Sequence, residues 1–243
     1  MTFKTLTALA LAITLTACGS PSENTITLAP EQITGQPISR TSERPPPFAR
    51  RVAQSGGVGL GGGIAGLLIG KAVTESMNAD ERARSRIGEV PTPEGVDPGA
   101  IIESTIADVL IAEFGARENV RAFYAGSVRE TGSTERGPKV AEIAARRGLS
   151  GVVVDVVALE YYADSTGRNL GLIDEAFRIV VTAQMNLVDI ASGAVIASGS
   201  CEGNQGNTTQ ISSAVEDGPR LTTVLAQRAA AACAQQLISR VVR

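Results

Sequence analysis

The chain has no histidine and no tryptophan, and aromatic residues make up only 3% of its 243 positions. Without histidine, the commonest general base and the commonest metal ligand are missing, and a Ser-His-Asp triad is impossible. After Lys4, lysine occurs only as Lys71 and Lys139, and neither lies in a Ser-x-x-Lys motif. The net charge of −3 excludes a polybasic surface for nucleic acid. The composition predicts a protein with no enzymatic activity, cofactor or metal, and a core of Val, Ile, Leu and Ala.

The N-terminus has the pattern of an export signal. Residues 1–17 contain one early cation, Lys4, followed by the apolar run LTALALAIT. This run is shorter than the roughly 20 residues that a membrane span needs. The tetrad LTAC at residues 15–18 resembles a bacterial lipobox, which implies that Cys18 carries lipid, including palmitate. Gly19, in place of aspartate, implies the outer membrane. The alternative is an ordinary cleaved signal followed by a chance cysteine.

The remainder divides by composition into four parts. Residues 18–55 are rich in Ser, Thr and Pro and lack apolar periodicity, so we expect a lipidated, disordered tether. Residues 56–73 form a glycine-rich segment, and residues 74–98 form a polar linker. Residues 99–243 are predicted to form an α+β domain that faces the periplasm.

The glycine-rich segment has the sequence GGVGLGGGIAGLLIGKAV. Its Gly-x-Gly-x-x-Gly pattern follows a proline-rich stretch and no buried strand, so we exclude a dinucleotide site. The spacing of Gly62, Gly66 and Gly70 is a small-xxx-small repeat, which allows close helix packing. It resembles the glycine-zipper segments of some outer-membrane lipoproteins. Two interpretations remain open: a segment for helix packing or membrane association, and a flexible linker.

Within the domain, apolar periodicity predicts alternating helices and strands. The order favours an α+β fold: a mixed or antiparallel sheet of about four strands, with helices packed on one face. Residues 204–218 are expected to form a loop. The predicted helices are 99–114, 138–147 and 219–241, and the predicted strands are 119–128, 151–162, 176–187 and 194–203.

The strand 176–187 alternates most clearly. One side is apolar and should pack under helices 99–114 and 219–241, which requires burial of Phe177, Ile179, Val181, Ala183, Met185 and Leu187. The other side is mostly polar and is either merely solvated or a possible face for a partner protein; it carries Arg178, Thr182, Gln184 and Asn186.

Two cysteines follow Cys18. An even number of cysteines in an exported protein predicts a disulfide between Cys201 and Cys233. Because Cys233 lies in an alanine run typical of a core, two buried free thiols are the alternative.

The sequences RRGLSGVVVDVVALEY and NLVDIASGAVIASGSCEG carry a resemblance to a group of envelope lipoproteins. The group includes the curli-secretion lipoprotein, the lipoprotein activators of penicillin-binding proteins and the N-terminal domain of the Tol-Pal propeller protein. The resemblance covers residues 99–243. It implies a non-enzymatic lipoprotein of the outer membrane that presents its domain to a periplasmic protein partner, in envelope biogenesis or transport. The alternative is a structural component of an envelope export or secretion complex that forms oligomers through the glycine-rich segment.

Overall fold

The computed structural model of the chain describes residues 25–41, 43–51, 86–125, 136–167 and 175–242. We number the helices and strands in chain order. Short 3-10 turns at Pro30–Gln32 and Arg86–Glu89 precede the first helix, and a π-helical turn, Ile238–Val242, follows the last. The strands are β1 (Pro37–Thr41), β2 (Ala49–Arg51), β3 (Arg117–Phe123), β4 (Val152–Gly167), β5 (Ala176–Asp189) and β6 (Val195–Gln210), and the helices are α1 (Pro98–Phe114), α2 (Arg136–Arg146), α3 (Ile211–Asp217) and α4 (Pro219–Leu237).

The long strands β4, β5 and β6 form an antiparallel meander, as their β-branched and alternating sequences favour. The turn between β5 and β6 is closed by Asp189, whose Oδ1 accepts from the backbone N–H of Ser192 at 2.7 Å. The predicted strand 176–187 is present, and its six apolar residues, Phe177 to Leu187 at alternate positions, are all buried. The predicted loop 204–218 is wrong, because β6 continues to Gln210 and α3 follows it.

The sheet is larger than predicted. Its described residues form six strands in the order β3-β1-β4-β5-β6, with β2 also paired to β4. β1 lies parallel to both β3 and β4, and β2 is parallel to β4, so the sheet is mixed. The expectation of about four strands is therefore wrong. The two additional strands come from residues that the sequence assigned to a disordered tether.

The described part of residues 25–51 is folded because it buries apolar side chains, although these side chains are irregularly spaced in the sequence. Leu28, Ile33 and Ile38 belong to the main core, although no helical or strand period relates them. β1 then occupies the position between β3 and β4. The prediction of a disordered tether is wrong for this part of the chain.

Helices cover both faces of the sheet, which corrects the prediction of one covered face. α1 and α4 pack on the main core, which includes Val154 and Leu187. α2 packs on a second, smaller core that includes Val153 and Val188, the neighbouring strand residues that point to the opposite face. The second layer was missed because α2 covers only one end of that face.

α4 lies unusually close to β6. A Cβ atom at Gly203 would fall 1.9 Å from the carbonyl oxygen of Ala229, so only glycine allows this approach. In the same region Cys201 and Cys233 form the predicted disulfide, with their Cα atoms 5.1 Å apart. The bond fixes the closing helix to the sheet and closes a loop whose ends are 32 residues apart.

Among the described residues, no helix has both the length and the apolar character that a membrane span requires.

Candidate functional site: a buried arginine–carboxylate network beside a cleft

The backbone pairing along one edge of β4 is interrupted where β1 ends. β1 pairs with β4 as far as Val154, and β2 takes up the pairing only at Tyr162. The connection between β1 and β2 contains Pro45, Pro46 and Pro47, which lack the N–H groups that a sheet ladder needs. A buried polar network and a cleft lie beside this interruption.

Arg136 is the centre of the network. It begins α2 and is only 1% exposed. Its Nε donates to Asp155 Oδ2 at 2.6 Å and its Nη2 to Asp155 Oδ1 at 2.7 Å, a bidentate pair. Nη2 also donates to Glu43 Oε1. Burial alone would lower the pKa of Arg136, but the bonds to the two carboxylates outweigh it and raise that pKa. The guanidinium therefore stays charged inside the domain.

The pair forms because β4 turns Asp155 toward the α2 side of the sheet, beside Val153. Asp155 has no exposed surface, and an unpaired carboxylate there would be very costly. Arg136, at the start of α2, supplies the charge and the two parallel donors that this carboxylate needs. The network thus attaches α2 to the sheet.

Thr41 extends the network to the other side of the sheet. Its hydroxyl oxygen lies 3.0 Å from Asp155 Oδ1 and 3.1 Å from Glu103 Oε1 on α1. The hydroxyl has one proton, so it donates to one carboxyl at a time. Glu103 is 5% exposed, and this burial raises its pKa to about 8. The Thr41 hydroxyl thus links Glu103 on α1 to Asp155 on β4.

The cleft beside this network has a volume of about 230 Å³. Its apolar lining residues include Ala122, Val156 and Ala158. Asp97, also on its lining, is the N-cap of α1: its Oδ1 accepts from the N–H of Ala100 at 3.1 Å. The remaining ionisable groups of the lining are two arginines and two glutamates: Arg40, Glu43, Arg44 and Glu103. A cleft of this size, lined by apolar residues and by ionisable residues of both signs, could hold a small group that has a polar part and an apolar part.

The network is suited to stabilising the fold, because it links α2 and α1 to strands of the sheet. Glu103 carries its proton at neutral pH, so it is not available as a general base. Asp155 is held by both guanidinium bonds. In the described part of the chain, no group of three or more His, Cys, Asp or Glu side chains could hold a metal ion.

Of the residues predicted to have a role, the four on the polar face of β5 have different surroundings. Arg178 donates to Asp164 Oδ2 at 2.9 Å, so its charge is already paired. Asn186 is buried, near the end of the face that α2 covers, whereas Thr182 and Gln184 are half-buried. The face is therefore only partly open, and its use by a partner stays a prediction.

The other predicted residues, Cys18 with Gly19 and the glycines Gly62, Gly66 and Gly70, lie outside the described residues. The residues that flank the glycine-rich part are described. Arg51 ends β2 beside Asp164, and the N–H of Arg86 donates to Glu175 Oε2 at 2.8 Å. Both flanks lie at the end of the sheet where β5 begins.

None of the residues of the buried network was predicted from the sequence. One signal was available: Asp155 interrupts the run VVVDVV, and an acid inside a buried strand requires a partner. The partners themselves were not identifiable. Thr41 and Glu43 lie in the stretch expected to be disordered, and Arg136 begins its helix without any distinguishing motif.

The raised pKa of Glu103 predicts a pH-dependent stability. Its folded pKa of about 8 is above the ordinary value of 4.5, so the folded state binds the proton more tightly. This stabilisation is complete below pH 4.5 and is lost as the pH rises through 8. We expect the free energy of unfolding to fall over this range, by at most ~1.4 kcal/mol per pH unit.

Urea denaturation at several pH values, with Glu103→Gln as the matched variant, measures this effect. The amide cannot ionise, so its curve should be flatter than that of the natural chain. Glu43, whose pKa burial also raises, contributes in the same direction; Glu43→Gln is the second comparison. An equal slope in the natural chain and Glu103→Gln would contradict the assignment.

Comparison with known proteins gives no family assignment. No family model matches the chain. No curated protein matches it. Among solved structures, the PelC dodecamer of Paraburkholderia phytofirmans is 13% identical, with 91% of this chain and 96% of that chain covered and a TM-score of 0.34. The lipoprotein GNA1162 of Neisseria meningitidis is 17% identical, with 79% and 96% covered and a TM-score of 0.26. Because these scores are low, the function is argued from this chain's own residues.

Proposed function

We propose that the chain is a bacterial lipoprotein of the cell envelope, acylated on Cys18 and anchored in the outer membrane. Its α+β domain binds a protein partner in the periplasm and catalyses no reaction. The observation that carries the proposal is the LTAC tetrad directly after a short apolar signal. The disulfide between Cys201 and Cys233 supports it, since such bonds persist in oxidising compartments.

The domain's interior supports the non-catalytic part of the proposal. The charges of the buried network are satisfied by one another, and the described residues include no histidine that could act as a base. A partner surface requires no such chemistry. The half-buried Thr182 and Gln184 on β5 are the first positions to test for it.

The first test is Cys18→Ser in the full chain. We expect this variant to lose incorporation of labelled palmitate and to move from the membrane fraction to the soluble periplasmic fraction. The oxygen of serine cannot replace the sulfur in the thioether-linked lipid, whereas the domain itself is unchanged. The domain's disulfide, measured by thiol labelling, is the control for correct folding. If the natural chain takes up no palmitate, or if the variant stays in the membrane, the proposal fails.

A second candidate is an oligomer-forming component of an envelope complex. It is favoured by the four-residue spacing of Gly62, Gly66 and Gly70. Deletion of residues 56–70 should lower the native mass of the detergent-extracted protein if this segment mediates assembly. An unchanged mass would exclude that role and leave the segment as a linker.

A further inference from the structure

The path of the N-terminal segment fixes where the anchor is attached to the domain. The N–H of Ile26 donates to the carbonyl of Ser198 at 3.1 Å, and the N–H of Ser198 donates to the carbonyl of Ile26 at 3.0 Å. The N–H of Leu28 donates to the carbonyl of Val241 at 2.8 Å. The first described residues are thus held on the outer edge of β6, at the C-terminal end of the closing helix.

This attachment point lies near one end of the sheet. Ser198 is opposite Asn186 on β5, close to the turn that joins β5 to β6. We call this the turn end. The far end is where β5 begins and β6 finishes, at the pairing of Ala176 with Gln210. From Asn186 to Ala176 is ten residues, or ~33 Å along the strand. α3 follows Gln210 at the far end, where the N–H of Ile211 donates to the carbonyl of Glu175 at 2.9 Å.

The chain between Cys18 and the attachment point is too short to reverse this orientation. Cys18 and Ile26 are eight positions apart in the sequence, and a fully extended chain spans at most ~28 Å over that length. A domain whose far end faced the membrane would hold Ile26 at least ~33 Å from it. The acylated cysteine could not then reach the lipid. The anchor therefore requires the turn end, or the side of the domain, to face the membrane.

The position of Ile26 favours the turn end, because this large apolar side chain is 42% exposed directly beside the point where the anchor arrives. Val215 on α3 is 46% exposed, but it lies at the far end, which the length of the chain excludes. The outer side of α4 exposes Gln227, Arg228 and Gln235 beside Val224, which is 37% exposed. Near the turn end the exposed charges have both signs: Arg117 and Arg240 are accompanied by Glu31 and Glu113.

We infer that the domain is upright on a lipid surface, with the turn end against the headgroups and the far end directed away from the membrane. The inference rests on the proposed acylation of Cys18. It assigns the turn end, including Ile26 and the β5–β6 turn, to the membrane. It leaves α3 and the start of β5 as the surface that a partner in the compartment would reach.

The absence of tryptophan makes a direct test simple. Single tryptophans are introduced into the full lipidated chain at two exposed positions, Ala191→Trp in the β5–β6 turn and Ser213→Trp on α3. Each variant is reconstituted in phosphatidylcholine vesicles that contain brominated acyl chains. We expect strong quenching of the Ala191→Trp fluorescence and little or none for Ser213→Trp.

Equal quenching at both positions, or stronger quenching at Ser213→Trp, would overturn the inference. Failure of the proposed acylation gives a different result, because the natural chain would then take up no labelled palmitate, whatever the quenching at the two positions. Cys18→Ser, which keeps the same domain, supplies the unquenched reference for each tryptophan. Far-ultraviolet circular dichroism confirms that both variants are folded.

Discussion

Val181→Asp should unfold the domain. Val181 has no exposed surface and lies in the main core, where β5 pairs it with Tyr161 and Gly203. Loss of its burial costs ~1.5–3 kcal/mol. Placing a carboxyl group there without a partner adds several kcal/mol more. Since domains of this kind have total stabilities of ~5–15 kcal/mol, we expect loss of the cooperative urea transition. Circular dichroism during urea titration measures it.

The control is Gln184→Arg on the opposite side of the same strand. Gln184 is half-buried, and a long cationic side chain can extend from that position into solvent. This variant should keep its unfolding transition within ~0.5 kcal/mol of the natural chain. A stable Val181→Asp variant would contradict the register of β5, and with it the assignment of the core.

Arg136→Met is expected to have the second largest effect. The substitution keeps an apolar stem of similar length but leaves the buried Asp155 without its two guanidinium bonds, and Glu43 loses its partner as well. Removal of one partner of a buried ion pair typically costs ~3–5 kcal/mol. α2, which the pair attaches to the sheet, should lose protection first. Hydrogen exchange and chemical denaturation measure the local and global effects.

Two further variants separate the buried charge from general packing. Arg136→Met combined with Asp155→Leu removes both charges, so much of the lost stability should return. Arg146→Ala removes an exposed arginine from the same helix, where it pairs with Glu142 at 3.0 Å, and should change stability by less than ~1 kcal/mol. If Arg136→Met were no worse than Arg146→Ala, the network would have no structural role.

The parts of the fold that could be predicted are those with local periodicity. Alternation of apolar and polar residues identified β5 and its buried side, and the valine-rich run identified β4. Helix α1 was predicted from its apolar spacing, and the disulfide followed from cysteine parity and compartment. In each of these cases the information lies within a short stretch of sequence or in the composition.

The parts that were missed depend on contacts between distant residues. β1 is five residues long and alternates weakly, and its place in the sheet is set by β3 and β4, which follow it by some 80 to 110 positions. The site was missed for the same reason. Thr41, Glu103, Arg136 and Asp155 come from four separate elements, and nothing in the sequence around any one of them identifies the other three.

The bond between Leu28 and Val241 has a consequence for the order in which the chain folds. The beginning of the domain depends on its last residues, and the sheet cannot be completed until β4 has joined β1. Such non-local pairing makes folding slow compared with local helix formation. The native state of the described residues therefore becomes accessible only once the segment around Val241 is free to pair. For a chain exported as we propose, this dependence would keep the polypeptide unfolded while that segment is still inside a translocation channel.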